Sequence, residues 1–423
     1  MAVIATVEVN QLLDYRFDAE CYRPEFQELE RRIAALNSRP LQSVAFVSDG
    51  NHVSIANYFC DSGIRYLKGA EVSDVFINDA DPTFIPRKIY SEITRAQVSP
   101  GDVLLSVIGS IGPAALVTDK YECLSCSCKL AILRPHSISG ALLIAYLLSS
   151  TGQTLLKRRT RGSVQQGVVL PDVRSFPVPQ FTNGLRGRVA KLIADASREM
   201  ERANSLYPEA EAELLDRMGW NEIKREPTKL TYVKALDELD LAGRIDAEFF
   251  HPQYAQLRSK LRDHGMSFRD LVFRFRKGLQ PEYYDADGEV LVLKSKQVTA
   301  RGVRFDLCER TIDSVWNDKD SKLGEGDLVI NSTGRGTLGR AAVIPPFCGK
   351  AVASVDLVIA QTNPHLIDAE YAALFLNSPA GLAQSEQFQT GSSGQLHLYP
   401  QHFEQFVIYV PRQKNGTVDH VRH

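Results

Sequence analysis

Arg16-Phe-Asp-Ala-Glu-Cys-Tyr-Arg-Pro-Glu-Phe26 returns later in the chain as Arg244-Ile-Asp-Ala-Glu-Phe-Phe-His-Pro-Gln-Tyr254, 228 residues on. The identities fall on Arg, Asp, Ala, Glu and Pro, and aromatic character is kept at Tyr22/Phe250 and Phe26/Tyr254. Such agreement within eleven positions exceeds what chance supplies, so the chain is read first as a repeat. The copies stay in step downstream. Tyr66–Val72 is answered by Val292–Val298, Pro100–Ser106 by Glu325–Asn331, and Gly109–Gly112 by Gly334–Gly339. Ser127–Ile132 is answered by Ser354–Ile359, Arg161–Ser163 by Thr390–Ser392, and Phe176–Pro179 by Val407–Pro411. A period this long is a duplicated domain, not a solenoid repeat.

Each copy predicts an α+β fold, a twisted sheet with helices packed on it. Tyr22, Phe26, Leu29, Ile33 and Leu36 are spaced by four and three, the stripe of an amphipathic helix. Phe250, Tyr254, Leu257 and Leu261 repeat it. Short apolar runs opened by Gly-Asp turns, at Asp102–Ile108 and Asp327–Ile330, predict strands. Ile144–Leu148 and Tyr371–Leu376 predict a second, buried helix in each copy.

Between the copies, Leu185, Val189, Leu192, Ala196, Met200 and Ala203 share one helix face, with Arg and Glu opposite. About twenty residues at 1.5 Å each predict a spacer helix of ~30 Å, kinked or restarted at Pro208. Trp220–Thr231 reads as a linker. The predicted organisation is a first domain over 1–182, a helical spacer and linker over 183–226, a second domain over 227–412 and a tail over 413–423.

The totals narrow the function. Hydrophobic residues make up 44% and charged residues 24% of 423, which suits a soluble chain with sizeable cores. No apolar run approaches the ~18 residues that cross a bilayer, so no membrane association is expected. The N-terminal segment lacks a basic n-region and a small-residue cleavage site. Seven cysteines, three of them crowded at Cys123, Cys126 and Cys128, argue for a reducing cytoplasm over a disulfide framework. The net charge of −2 does not announce a nucleic-acid binder, although a local basic face suffices for phosphate affinity.

The repeated order is strand, Gly-Asp-apolar-apolar-Ser/Asn, glycine loop, Ser-anchored strand, helix, Gly-Ser and a closing Val-Pro. It resembles the target recognition domain of the specificity subunits of type I restriction–modification systems. The resemblance is carried by Gly101, Asp102, Ser106, Gly109, Gly112, Gly162, Ser163 and Pro179. Gly326, Asp327, Gly334, Gly339, Gly391, Ser392 and Pro411 carry it again. It covers nearly the whole chain. It implies two homologous target-recognition domains joined by a long spacer helix, each reading half of a bipartite site in double-stranded DNA. It also implies partner DNA adenine methyltransferase subunits, with or without a motor-nuclease restriction subunit. The family carries a second long helix after the second domain, whereas Arg412–His423 alone follow Pro411 here.

Catalytic chemistry is not predicted. Gly334-Arg-Gly-Thr-Leu-Gly339 matches GxGxxG, but a strand-like run follows where a dinucleotide site needs a helix. Cys123, Cys126 and Cys128 lack a fourth ligand at a telling spacing, and the other copy has no matching cysteine; buried strand thiols are expected, with no metal and no cofactor. Asp287, Glu289 and Lys294 lack the further acid of a nuclease centre. An adenine methyltransferase needs an Asn/Asp-Pro-Pro-aromatic loop at the flipped base, and the chain has none. A non-enzymatic DNA-contact surface remains. Its candidates are Lys68, Ser110, Lys157, Arg158, Arg159, Arg161, Ser163, Gln165 and Gln166 in the first copy. Lys294, Lys296, Arg335, Thr337, Ser392, Ser393 and Gln395 are those of the second. Lysine and arginine suit phosphates, and glutamine suits base edges. The competing reading is a duplicated protein-interaction scaffold.

Overall fold

The computed structural model describes residues 6–9, 12, 16–72, 75–79, 82–162, 166–222, 231, 233–236, 244–262, 264–347, 349–391 and 396–411. Most of the predicted linker and the tail lie outside the described residues. The chain divides into two compact units, Met1–Arg202 and Ala203–His423.

The first unit contains a four-stranded sheet built from β1 (Ala45–Asp49), β4 (Val103–Ser106), β5 (Ala114–Leu116) and β7 (Leu130–Pro135), in the order β1-β7-β4-β5 with every pair antiparallel. A smaller sheet is built around β2 (Ile64–Leu67), flanked by β3 (Phe84–Ile85) and, in parallel, by β6 (Leu124–Cys126). Three helices pack on the larger sheet: α1 (Pro24–Ala34), α2 (Gly140–Leu148) and α3 (Ser150–Arg159).

Side-chain alternation explains the layering. Val103 and Leu105 face the helices and join a core with Ile33, Leu143, Leu147 and Phe176. Leu104 and Ile132 point the other way and pack with Leu67, Leu124 and Cys126 of the smaller sheet. Covered on both faces, the central strands read as continuous apolar runs, where a half-exposed strand would alternate.

A long helix, α4 (Asn183–Arg217), follows. It runs unbroken through Pro208, where the sequence predicts a kink or a restart. Its 35 residues correspond to ~52 Å at 1.5 Å each, longer than the predicted spacer. Leu185, Leu192, Met200 and Leu206 on it are exposed, while Leu214 is buried in the second unit's core. Among the described residues no helix is long and apolar enough to cross a membrane.

The second unit repeats the first element by element. β8 (Val272–Lys277), β11 (Leu328–Asn331), β12 (Ala341–Val343) and β14 (Leu357–Thr362) form the larger sheet in the order β8-β14-β11-β12. β9 (Val290–Leu293) pairs antiparallel with β10 (Glu309–Thr311) and parallel with β13 (Lys350–Ala353). Helices α5 (Pro252–Leu261), α6 (Ala369–Asn377) and α7 (Pro379–Phe388) stand where α1, α2 and α3 do. Leu104 facing Ile132 is matched by Val329 facing Ile359.

One alignment shifts. The Leu41 amide donates to Phe176 O at 2.8 Å and the Phe268 amide to Phe406 O at 2.8 Å, so Phe176 corresponds to Phe406. The sequence alignment sets Phe176 against Val407, one residue further on.

The opening repeat works as a strap. Arg16 binds Asp18 through two bonds of 2.8 Å and donates Nη1 to Arg158 O at 2.8 Å. Arg244 binds Asp246 through two bonds of 2.7 Å and donates to Phe388 O and Gln389 O. In both units the guanidinium ties the incoming chain to carbonyls at the end of the last large helix, where the helix leaves acceptors unsatisfied.

Candidate nucleic-acid interface

One end of each pair of sheets gathers loops from distant parts of the chain. In the first unit, β1, β2, β4 and β6 all finish there. The Asn51 amide donates to Cys126 O at 2.8 Å, Ser127 N to Leu67 O at 2.8 Å, and Val107 N to Lys129 O at 2.9 Å. The loop after β4 closes with Gly112 N donating to Ser106 O at 3.1 Å, and Gly109 N reaches Gln166 O at 3.4 Å. The second unit builds the same rim. Leu279 N donates to Ala353 O at 3.0 Å, Ser354 N to Leu293 O at 2.8 Å, Ser332 N to Asp356 O at 2.8 Å, and Gly334 N to Leu396 O at 3.2 Å. Gly109 and Gly334 take φ of 85° and 100°, a region side chains disfavour, so the turn itself accounts for glycine at both.

Two glycines make close approach possible. A Cβ on Gly50 would overlap the carbonyl oxygens of Cys126 and Ser127, and one on Gly278 those of Ala353 and Ser354. The first outer strand therefore crosses directly against the end of the smaller sheet in both units.

The predicted residues fall into three groups. Lys68, Ser110 and Gln166 are exposed on the first rim, and Arg161 lies there half-buried, its guanidinium on Asp172 at 2.6 and 2.8 Å. Lys296 and Arg335 are exposed on the second rim, with Lys294 and Thr337 half-buried beside them. Lys157 is exposed, but on α3. Ser163, Gln165, Ser392, Ser393 and Gln395 lie outside the described residues.

Arg158 and Arg159 are the correction. Their side chains are 3% exposed, and both guanidinium groups pair with Glu30 of α1, Arg159 at 2.8 Å. Arg158 also donates Nε to Cys21 O at 2.9 Å, and Arg159 lies 5.3 Å from the Phe176 ring centroid. Their counterparts in the second unit are buried too: Gln387 donates to Phe249 O at 3.1 Å and Phe388 sits in the core. These are core positions, which takes both arginines off the DNA-contact surface. Two of the four cations in the Lys157–Arg161 run hold helices together instead.

The cysteine and glycine motifs have definite places in the fold. Cys126 is fully buried on β6, where burial pushes its thiol well above the ordinary range, while Cys123 and Cys128 flank the strand half-buried. Among the described residues no group of three or more His, Cys, Asp or Glu is placed to hold a metal ion. The GxGxxG segment is followed by β12, a strand as the sequence reading requires.

The rims also carry residues that the sequence reading passed over. Lys129 is exposed near Lys68, where a Cβ at Gly69 would meet its side chain at 3.5 Å, and Asp356 holds the matching place in the second unit. Adjacent aromatics, Tyr58-Phe59 and Tyr283-Tyr284, stand on the loops before β2 and β9. The signal was available: each pair precedes a glycine and the rim lysine at nearly the same distance. Burial works against charge on Lys294, but Glu309 and the Tyr284 hydroxyl outweigh it and hold its pKa above the ordinary lysine range.

No protein-family model matches the chain, and no curated protein does. Solved structures do match. The chain is similar to the type I restriction–modification S subunit from M. genitalium, at 13% identity over 88% of this chain and 83% of that one, with a TM-score of 0.38. It is similar to the HsdS subunit from Thermoanaerobacter tengcongensis at 15% identity, over 88% and 84% of the two chains, with a TM-score of 0.29. A third match, from a study of complex assembly in the type I R-M system, has 14% identity over 90% and 86%, with a TM-score of 0.28. All three come from type I restriction–modification systems. These likenesses are distant in sequence and in superposition, and the functional conclusion rests on the chain's own residues.

Proposed function

We propose that the chain is a non-catalytic DNA sequence-recognition subunit. Each unit reads one half of a bipartite, asymmetric site in double-stranded DNA. The chain directs adenine methyltransferase subunits to that site in the cytoplasm, with or without a motor-nuclease restriction subunit. The observation that carries this reading is the duplicated rim: one loop architecture built twice and lined with different side chains. Lys129 becomes Asp356, and Ser110 of a four-residue glycine loop gives way to Arg335 and Thr337 of a six-residue one. A shared frame with diverged lining suits two readers of unlike half-sites, as a symmetric dimer suits a palindrome. Lys68, Lys294, Lys296 and Arg335 supply cations for phosphates, and the exposed Gln166 offers an amide suited to a base edge.

The exposed apolar face of α4, with Leu192 67% and Met200 47% accessible, favours a protein partner on that helix. It fits methyltransferase docking and also the scaffold reading, so the deciding test is on DNA. Binding of the purified chain to a duplex is measured across a salt series. Phosphate contacts release counterions, so log K falls linearly with log salt, at about 0.9 per phosphate. A steep slope is the expected result; absence of duplex binding leaves the scaffold. Exchanging residues 40–180 for those of a related subunit is then expected to change one half-site alone, and changes in both would contradict modular reading.

A further inference from the structure

Tyr58, Phe59, Tyr283 and Tyr284 are 53%, 39%, 67% and 41% exposed, so each unit presents two neighbouring aromatics to solvent at the same place. In each, the second ring lies under the lysine that follows the central strand of the smaller sheet. Lys68 Nζ is 5.9 Å from the Phe59 centroid, and Lys294 Nζ is 4.2 Å from that of Tyr284. The lysine backbone is fixed alike in both: Glu71 accepts from Lys68 N at 3.0 Å, and Gln297 Oε1 from Lys294 N at 3.1 Å. A ring beneath an ammonium limits where a flexible side chain goes while leaving its N–H donors free for another acceptor. That is a preorganised anion contact, and it occurs twice.

The copies differ in what stands beside the ammonium. Glu309 on β10 pairs with Lys294, whereas register puts Thr83 at the equivalent place beside β2. Among the described residues no carboxylate forms a salt bridge with Lys68 Nζ; Glu71 binds the Lys68 backbone amide.

We propose that Phe59 with Lys68 and Tyr284 with Lys294 are equivalent phosphate-contact sites, one per rim, and that Glu309 occupies the second in the free protein where a DNA phosphate sits in the bound one. The assignment rests on the DNA-recognition reading. The first site, which holds no such ion pair among the described residues, gains a full contact on binding. The second exchanges a carboxylate for a phosphate and gains less.

The test uses the full chain and a mixed-sequence DNA duplex, with affinity read by fluorescence anisotropy across a salt series and folding checked by thermal melts. Lys68→Gln is expected to make the slope shallower by about 0.9, one phosphate contact. Phe59→Leu weakens binding with net charge unchanged. Glu309→Gln tightens binding several-fold, and that gain vanishes in Glu309→Gln/Lys294→Gln. A salt-dependent wild type whose slope and affinity survive Lys68→Gln and Lys294→Gln overturns the site assignment and leaves the recognition reading standing. A gain from Glu309→Gln that persists without Lys294 reflects long-range charge and overturns the exchange. A wild type that does not bind duplex DNA overturns the recognition reading, and the site falls with it.

Discussion

Replacing Glu30 by alanine separates what the Lys157–Arg161 cluster does for the fold from what it does for DNA. Glu30 is 27% exposed and faces two guanidinium groups that are each 3% exposed. Without it, Arg158 keeps its bond to Cys21 O and Arg159 its bond to Leu155 O at 3.1 Å, but neither retains a carboxylate. Breaking a buried pair typically costs about 3–5 kcal/mol, because a desolvated charge is left uncompensated. Partial exposure of Glu30 lets water reach the site, which places the cost near the low end, about 3 kcal/mol. For a unit of this size each kcal/mol lowers Tm by roughly 2–4 °C, so the first unit's transition falls by roughly 6–12 °C. Differential scanning calorimetry of the full chain reads it. The second unit suggests the rescue, since glutamine occupies the position of Arg158 there: Glu30→Ala/Arg158→Gln recovers part of the loss. A fall below about 2 °C, or no coupling between the two changes, would refute the buried pair.

Other consequences are simpler. Gly50→Ala and Gly278→Ala each drive a methyl into backbone carbonyls that cannot swing aside, and each is expected to cost about 1–3 kcal/mol, read by urea denaturation; unchanged midpoints would mean the crossings are looser than they look. Acid stability follows the two straps. The Arg16 hydrogen bond holds the Asp18 carboxyl below its ordinary range; at Asp246 burial pushes the other way, and Arg244 outweighs it. Both shifts are downward, so this stabilisation is complete above the unfolded carboxylate pKa of about 4 and is lost as pH falls through the lower folded values. Asp18→Asn/Asp246→Asn should flatten the acid limb of a Tm–pH profile, and a limb as steep as that of the parent would exclude the straps as its source.

The duplication was legible in the residues, because the repeated features are local. Gly-Asp turns, an Asp-Ala-Glu strap and apolar periods survive divergence in a single sequence. Burial of Arg158 and Arg159 was not, since a basic run reads as solvated unless its partner is known, and Glu30 lies well over a hundred residues away. The same limit hid how the Gly-Asp turns are held. Asp102 binds Arg134 on β7 at 2.8 Å, whereas Asp327 binds Arg276 on β8 at 2.7 Å. The acid is kept and its cation has moved to another strand, so alignment alone finds no partner. Pro208 misled for a different reason: proline ends helices by propensity, yet α4 carries it through a 35-residue span. The rim was half legible. Lysines and glycines stood out, while the aromatic pairs acquire meaning once both loops are seen at the same edge.

The central claim is tested most directly by mapping adenine methylation across the source genome with this gene intact and deleted. The account predicts the loss of one bipartite motif with unlike halves, restored when the gene is returned. A methylome that keeps every motif, while the accompanying methyltransferase is expressed and active, would contradict it.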